Sequence, residues 1–420
     1  MRVKTLILSG PVLWATVLLL PLLLLFGARN NYSVTAYWES ATADSTMLLG
    51  FVYAVCGACA AWEAGRLKKA RIASWAPVRS RMRVAGEHLA PVAALGVLGI
   101  LASLAAFSGP ALGAPGGPDL AVLGTEYAIV LSHMALGYLI GQWLPRLLAP
   151  ALTLLLGYFW GSWPAALDDP MWLRHVAGQG LADCCTLDQE PSLRSLAASV
   201  VFSVGILAAA LVVLAMDGRV TRWALAVALA FTGSFLGIAV ADPLGLSGVQ
   251  ARDRSQYRCE GTGPQVCLWP EQRAHRADFV RWSRQADRAL TRAGVSSARR
   301  VSFGTTTPHR DDVLVDVATS MLPTEPPACA QRPNAVYPGD EAYQVLYPWL
   351  ALTAGVRPDD LLARWPSDAV RQAQQVRRLP LPAQKAWFER NLRSVRDCSV
   401  APDLSPSSYV GKGAGKKSRP

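Results

Sequence analysis

No nucleotide-binding signature occurs in the chain. The Rossmann glycine pattern is missing, as are the G-x-S-x-G nucleophile elbow and the H-E-x-x-H zinc motif. The closing stretch "GAGKKS" carries glycines and lysines, but the G-x-x-x-x-G-K-[ST] spacing is absent and no strand precedes it. The chain therefore has no ATPase of its own, and no cofactor is expected. Histidine is scarce, at five residues in 420. Glu271 and His275 stand one helical turn apart and His309 lies in "TTTPHRDD", and both places read as surface rather than as a catalytic group. Charged residues make up only 17%.

That low charge hides two populations. Residues 1–245 hold 15 Lys/Arg against 13 Asp/Glu, whereas residues 246–420 hold 26 against 17. Almost all of the net +11 thus belongs to the later, polar part. Nucleic acid is the usual partner of a basic domain. A domain outside a membrane faces anionic lipid head groups or an anionic wall polymer instead, so no nucleic acid is expected. Arg far outnumbers Lys and Ala is abundant, a codon-bias signature of a high-GC genome.

What the first part does contain is long apolar runs. A hydrocarbon core requires about 20 apolar residues per helix. Seven runs are candidates, over residues 6–27, 46–62, 89–108, 120–141, 148–165, 196–216 and 223–241. The first follows Arg2 and Lys4, as a signal peptide would. It is too long for such a segment and lacks a small-x-small cleavage site, so it reads as a retained helix. Basic residues alternate sides as the positive-inside rule requires. The strongest inside marker is "GRLKKARIASWAPVRSRMR", with Arg66, Lys68, Lys69, Arg71, Arg79, Arg81 and Arg83. Arg146, Arg219 and Arg222 mark the other inside loops. The outside loops are poor in base, and residues 166–195 carry Asp168, Asp169, Asp183, Asp188 and Glu190. Seven spans from an inside N-terminus leave the C-terminus outside.

Within the spans, Glu126 and His133 are seven apart and share a helix face. Ionisable residues inside a membrane are rare and often functional. Here the pair reads as a boundary acid and a satisfied histidine. Gly137 and Gly141, and Gly157 and Gly161, have the spacing that lets helices approach closely. Tyr158, Phe159, Trp160 and Trp163 read as an interfacial belt. Cys56 and Cys59 form "CGAC" within an apolar run, where buried small residues are a better reading than a redox pair.

The predicted organisation is a polytopic α-helical membrane bundle over 1–245, a small extracytoplasmic α+β domain over 246–405, and a disordered basic tail over 406–420. Residues 243–258 read as a linker. In the domain, helices are expected near 270–293, 339–354, 367–378 and 382–396, with "RRVSFG" and "DVLVDVA" as short strands. Cys259, Cys267, Cys329 and Cys398 fall on the oxidising side, where an even set suits disulfides. One bridge could close the loop between Cys259 and Cys267, leaving Cys329 for Cys398, although four cysteines allow three connectivities. No C-x-x-C or H-x-x-x-H accompanies them, so no metal is expected. Cys184 and Cys185 could bond elsewhere or stay thiols.

A multi-span membrane half, a basic inside loop after the second helix and no ATP-binding motif together resemble an ABC-2-type transporter permease. That resemblance implies a separate ATPase subunit, coupling through Arg66, Lys68, Lys69, Arg71, Arg79, Arg81 and Arg83, a homo- or heterodimer, and outward movement of a hydrophobic or peptide-like substrate. The "DDPMWLRHVAGQG" loop takes the place of that class's element between the fifth and sixth helices. "CEGTGPQVCLWPE" and "LPLPAQKAWFERNLRSVRDC" resemble a C-terminal domain of permease-like proteins in high-GC Gram-positive bacteria. The chain departs from the permease pattern in two respects. Only about six residues precede the first span, which leaves no room for an amphipathic interface helix, and a seventh span is present. The rival expectation is a membrane-anchored extracytoplasmic binding or sensor module without transport activity.

Overall fold

The computed structural model describes residues 10–31, 34–70, 80–167, 169–181, 184–330 and 335–410. The chain divides into two compact units that meet between Arg252 and Asp253. This boundary lies seven residues later than the sequence suggests, inside the expected linker, because residues 249–251 form a strand of the first unit.

The first unit is a helical bundle. Its elements are α1 (Val12–Asn30), α2 (Trp38–Ser45), α3 (Leu49–Lys69), α4 (Arg81–Phe107), α5 (Leu120–Trp143), α6 (Leu148–Ser162), α7 (Trp172–Val176), α8 (Leu193–Ala215) and α9 (Arg219–Ala241). Strand β1 (Gln189–Pro191) pairs antiparallel with β2 (Val249–Ala251). Six helices are long and apolar enough to cross a membrane: Val12–Asn30, Trp38–Lys69, Arg81–Phe107, Leu120–Trp143, Leu193–Ala215 and Val220–Ala241. The seventh expected span is α6, which has only 15 residues. At 1.5 Å per residue it reaches about 22 Å, short of a hydrocarbon core of about 30 Å.

Close contacts establish how several of the helices run relative to one another. Gly57 lies against Gly137 and Ala61 against Gly141, so α3 and α5 run parallel. Gly65 meets Arg146, Gly57 meets Thr153 and Gly50 meets Gly161, so α6 runs antiparallel to α3 along almost its whole length. Gly205 against Gly233, and Gly237 against Ala198, make α8 and α9 antiparallel. Both G-x-x-x-G spacings therefore lie on contact faces. Lipid gives apolar helices no reason to associate by burial alone, so close backbone approach has to supply the packing energy. Short as it is, α6 returns the chain from the end of α5 to the end where α8 begins. Trp160 stacks on Phe202 of α8 with ring centroids 5.7 Å apart.

The second unit has its own core. Strands β3 (Arg258–Glu260) and β4 (Gln265–Leu268) pair antiparallel, with Cys259 opposite Cys267, and β5 (Arg300–Val301) adds parallel to β4. Helices α10 (Arg276–Arg292), α11 (Arg310–Thr319), α12 (Gly339–Ala354), α13 (Pro358–Leu362), α14 (Ser367–Arg377) and α15 (Leu381–Arg396) surround Phe279, Leu314, Trp349, Trp387 and Phe388. "DVLVDVA", expected to be a strand, is the body of α11. Its buried residues Val313, Leu314, Val317 and Ala318 follow a helical repeat, which wins over β-propensity once the face packs. The tail is ordered further than expected. Pro406–Tyr409 forms a 3-10 turn, Tyr409 is buried, and the Trp387 indole N–H donates to the Leu404 carbonyl at 3.3 Å. The rest of the predicted tail lies outside the described residues.

The α3–α5 seam generates a direct test. A Cβ built on Gly137 would stand 2.9 Å from Gly57 Cα, whereas one on Gly124 meets nothing within 4 Å. Gly137→Ala is expected to destabilise the detergent-solubilised chain by about 1–3 kcal/mol, read as a lower thermal midpoint. Gly124→Ala should not lower it, since Ala is the better helix former where there is room for the Cβ, and equal midpoints for the two variants would contradict the seam.

Candidate functional sites

The basic residues singled out in the sequence gather at one end of the bundle. Arg66, Lys68 and Lys69 occupy the last turn of α3, and Arg81 and Arg83 the first turn of α4. Ser80 opens α4 by accepting the Arg83 backbone N–H at 3.3 Å. Arg71 and Arg79 lie outside the described residues, as do Asp168 and Asp183. Arg66 pairs with Glu63 at 2.7 Å, Arg81 with Asp217 at 3.3 Å and Arg83 with Glu87 at 3.3 Å. The Lys68 ammonium donates to the Trp143 carbonyl at 3.5 Å, and Arg146 lies 4.5 Å over the Trp62 ring. Side-chain exposures of 63% for Arg81 and 72% for Arg83 leave both available to a partner. Glu63 is nearly buried beside this ledge. Sequence reading passed over it, although an acid three residues before Arg66 in an apolar helix is a legible ion-pair spacing.

Glu126 and His133 are not brought together. His133 stacks on Tyr53 with centroids 4.0 Å apart, and its Nδ1 lies 2.9 Å from the Ile129 carbonyl. Glu126 lies two turns nearer the start of α5, where Asp119 caps the helix by accepting the Ala121 N–H at 2.8 Å. It lines a small cavity with Thr46, Thr125, Ser195 and Ser199. Cys56 and Cys59 are buried and unpaired, and the Cys56 thiol points at the Val92 carbonyl.

The opposite end is closed by the segment containing α7, whose importance sequence reading did not resolve to single residues. Arg174 donates to the carbonyls of Leu246, Ala165 and Leu167 at 3.0, 3.1 and 2.9 Å. His175 places Nε2 2.9 Å from the Gly245 carbonyl and Nδ1 2.9 Å from the Ser195 hydroxyl. A carbonyl only accepts, so Nε2 carries the proton and Nδ1 accepts from Ser195 when the ring is neutral. Burial pushes the His175 ring below the ordinary imidazole range, which favours that neutral form. Cys184 and Cys185 are bonded to each other in the segment that follows.

In the second unit, Cys259 pairs with Cys267 and Cys329 with Cys398, with Cα atoms 3.9 and 6.3 Å apart. The second bridge joins positions 69 residues apart. A loop of that size is worth about 4 kcal/mol on chain-entropy grounds. Helix α10 buries Phe279, Ser283, Ala286 and Leu290 on one face. Arg281, Arg284, Arg288 and Arg292 recur every three or four residues on the opposite, exposed face and border a groove of about 630 Å³. Arg281 pairs with Asp278, whereas Arg284 and Arg288 have no ion pair among the described residues. His275 and His309 share no hydrogen bond, and Glu271 lies with His275 in a 3-10 turn rather than on an α-helix. Among the described residues no group of three His, Cys, Asp or Glu could hold a metal.

Asp316 of α11 is the most perturbed acid outside the bundle. Burial, with the neighbouring Asp312 carboxylate, pushes it up to about 7. The folded state keeps this proton where the unfolded chain has lost it. Stability contributed by the neutral acid is therefore full at low pH, falls as pH rises from about 4 toward 7, and levels off above. Asp316→Asn is expected to flatten that dependence and to stabilise the domain above pH 7, on the order of 3 kcal/mol, in denaturant titrations across pH. An unchanged pH profile would contradict the assignment.

Comparison with known proteins gives one partial match. Residues 266–398 match the model of a domain of unknown function, DUF7224. The match lies wholly within the second unit and takes in Cys267, Cys329 and Cys398, but not Cys259. It covers less than half of the chain. No curated protein and no solved structure matches.

Proposed function

We propose that this chain is the membrane-spanning, permease-like subunit of an export system driven by a separate ATPase. It crosses the plasma membrane seven times, with the N-terminus cytoplasmic and the disulfide-braced domain extracytoplasmic. The observation that carries this reading is the polarity of the bundle. Arg66, Lys68, Lys69, Arg81, Arg83 and Arg146 collect at one end, as cytoplasmic loops do. The chain leaves the other end after Ala241, and all the paired cysteines lie near that end or beyond it in sequence. The short α6 crosses by local thinning of the bilayer, at a modest cost per ångström of mismatch. The ledge formed by Arg81 and Arg83, with acids on only part of its surface, suits an acidic docking face on the ATPase.

A second reading is favoured by the arginine face of α10. On that reading the chain is an anchored module that holds anionic lipid or wall polymer outside the cell, with no transport activity.

One set of measurements separates the two. Tagged full-length chain purified in mild detergent is expected to recover an ATPase subunit, and Arg81→Glu with Arg83→Glu to lose most of it. Recovery of no ATPase with the unsubstituted chain would sink the export reading. The anchored-module reading predicts that the domain binds phosphatidylglycerol vesicles but not neutral ones, with affinity falling as salt rises. Equal binding to both vesicle types would remove it.

A further inference from the structure

Glu126 is 2% exposed, and its Oε2 has no hydrogen-bond partner. No ion pair reaches it among the described residues. The cavity it lines is bounded by Thr46, Thr125, Ser195, Ser199 and the backbone at Gly178 and Gly180. Its free volume is about 10 Å³, room for about one water molecule.

The side-chain hydroxyls of the lining are already engaged with other groups, Thr46 donating to the Ala43 carbonyl at 2.6 Å. Thr125 donates to the Ala121 carbonyl at 2.8 Å, and Ser199 donates to the His175 carbonyl. Ser195 is taken up by His175 Nδ1 at 2.9 Å. The charged and titratable groups on the surrounding elements are also committed elsewhere. On α7, Arg174 is held by three carbonyls, and His175 by Ser195 and Gly245. On α8, Arg194 donates to the Val240 carbonyl at 2.9 Å. On α2, buried Asp44 accepts from Ser40 at 3.5 Å. On α5 itself, His133 stacks on Tyr53. The acids, bases and histidine of α3 and α4, Glu63 and His88 among them, lie toward the basic end, whereas Tyr53 of α3 stacks on His133 and the Cys56 thiol points at the Val92 carbonyl.

An ionised carboxylate without a counter-charge in so dry a site costs many kcal/mol. Among the described residues no basic side chain meets it, and no group of three His, Cys, Asp or Glu could hold a metal ion there. We propose that Glu126 is an exchangeable proton site within the bundle. The proton is its ligand, and the one-water cavity is where it enters and leaves. This site does not depend on the export reading, because it requires only that the helical bundle be folded.

The test is labelling of the full chain in mild detergent with N,N′-dicyclohexylcarbodiimide across a pH series, read by peptide mass spectrometry. This apolar reagent takes up a protonated carboxyl and leaves an N-acylurea on it. Glu126 should be modified, with yield falling about ten-fold per pH unit once the carboxyl ionises. Sodium at fixed pH should have no effect. Glu63, paired with Arg66 at 2.7 Å, should stay unmodified. Glu126→Gln should abolish the adduct, although the native-chain result stands whether or not that variant folds. No adduct at Glu126 at any pH would overturn the proposal. Protection by sodium would also overturn it, since the ligand would then be a metal ion.

Discussion

Everything in the first unit depends on how closely other backbones approach α3. Gly57 meets Gly137, Ala61 meets Gly141, Ala54 meets Gly157 and Gly50 meets Gly161. Side chains larger than these would push α5 and α6 away and remove the contacts that replace the hydrophobic effect in lipid. The seam also decides direction. It holds α5 parallel and α6 antiparallel to α3, which puts the basic last turn of α3 beside the start of α6 at one end of the bundle, and the first turn of α3 beside the end of α6 at the other.

The same organisation explains why polar groups are distributed as they are. The end closed by α7 is tied together by internal hydrogen bonds, with Arg174 donating to three carbonyls and His175 bridging Ser195 and Gly245. The basic end carries exposed arginines with only partial acidic compensation. Close to the end closed by α7, Glu126 is a buried carboxyl whose Oε2 has no partner, in a cavity with room for about one water molecule. The second unit follows a different logic. Two disulfides and an aromatic core around Trp349 stabilise it, while α10 turns an arginine stripe to solvent.

Much of this was legible in the sequence where a single physical rule applied. Apolar runs of membrane length placed six helices, and the repeat of Phe279, Ala286 and Leu290 placed α10. Rules failed where two of them competed. The β-branched residues of "DVLVDVA" favour a strand, yet Val313, Leu314, Val317 and Ala318 pack as a helix face. Hydropathy counted α6 as a full span, because composition carries no information on where a helix is cut at 15 residues. Strand β2 was missed because its partner β1 lies about sixty residues earlier, and three residues give no periodicity. His175 and Arg174 could not be singled out, since their roles arise from carbonyls brought together by the fold. The spacing of Glu126 and His133 suggested a shared face, but His133 stacks on Tyr53 whereas Glu126 lines a separate cavity.

The central claim is that an odd number of crossings leaves the disulfide domain outside while the α3–α4 turns stay inside. Thiol labelling of intact cells with a membrane-impermeant maleimide tests it directly. Cys398, bonded to Cys329, should label in intact cells only after an impermeant reductant is added, whereas Ser80→Cys beside the basic turn should label only after permeabilisation. Labelling of Cys398 that requires permeabilisation would contradict the account.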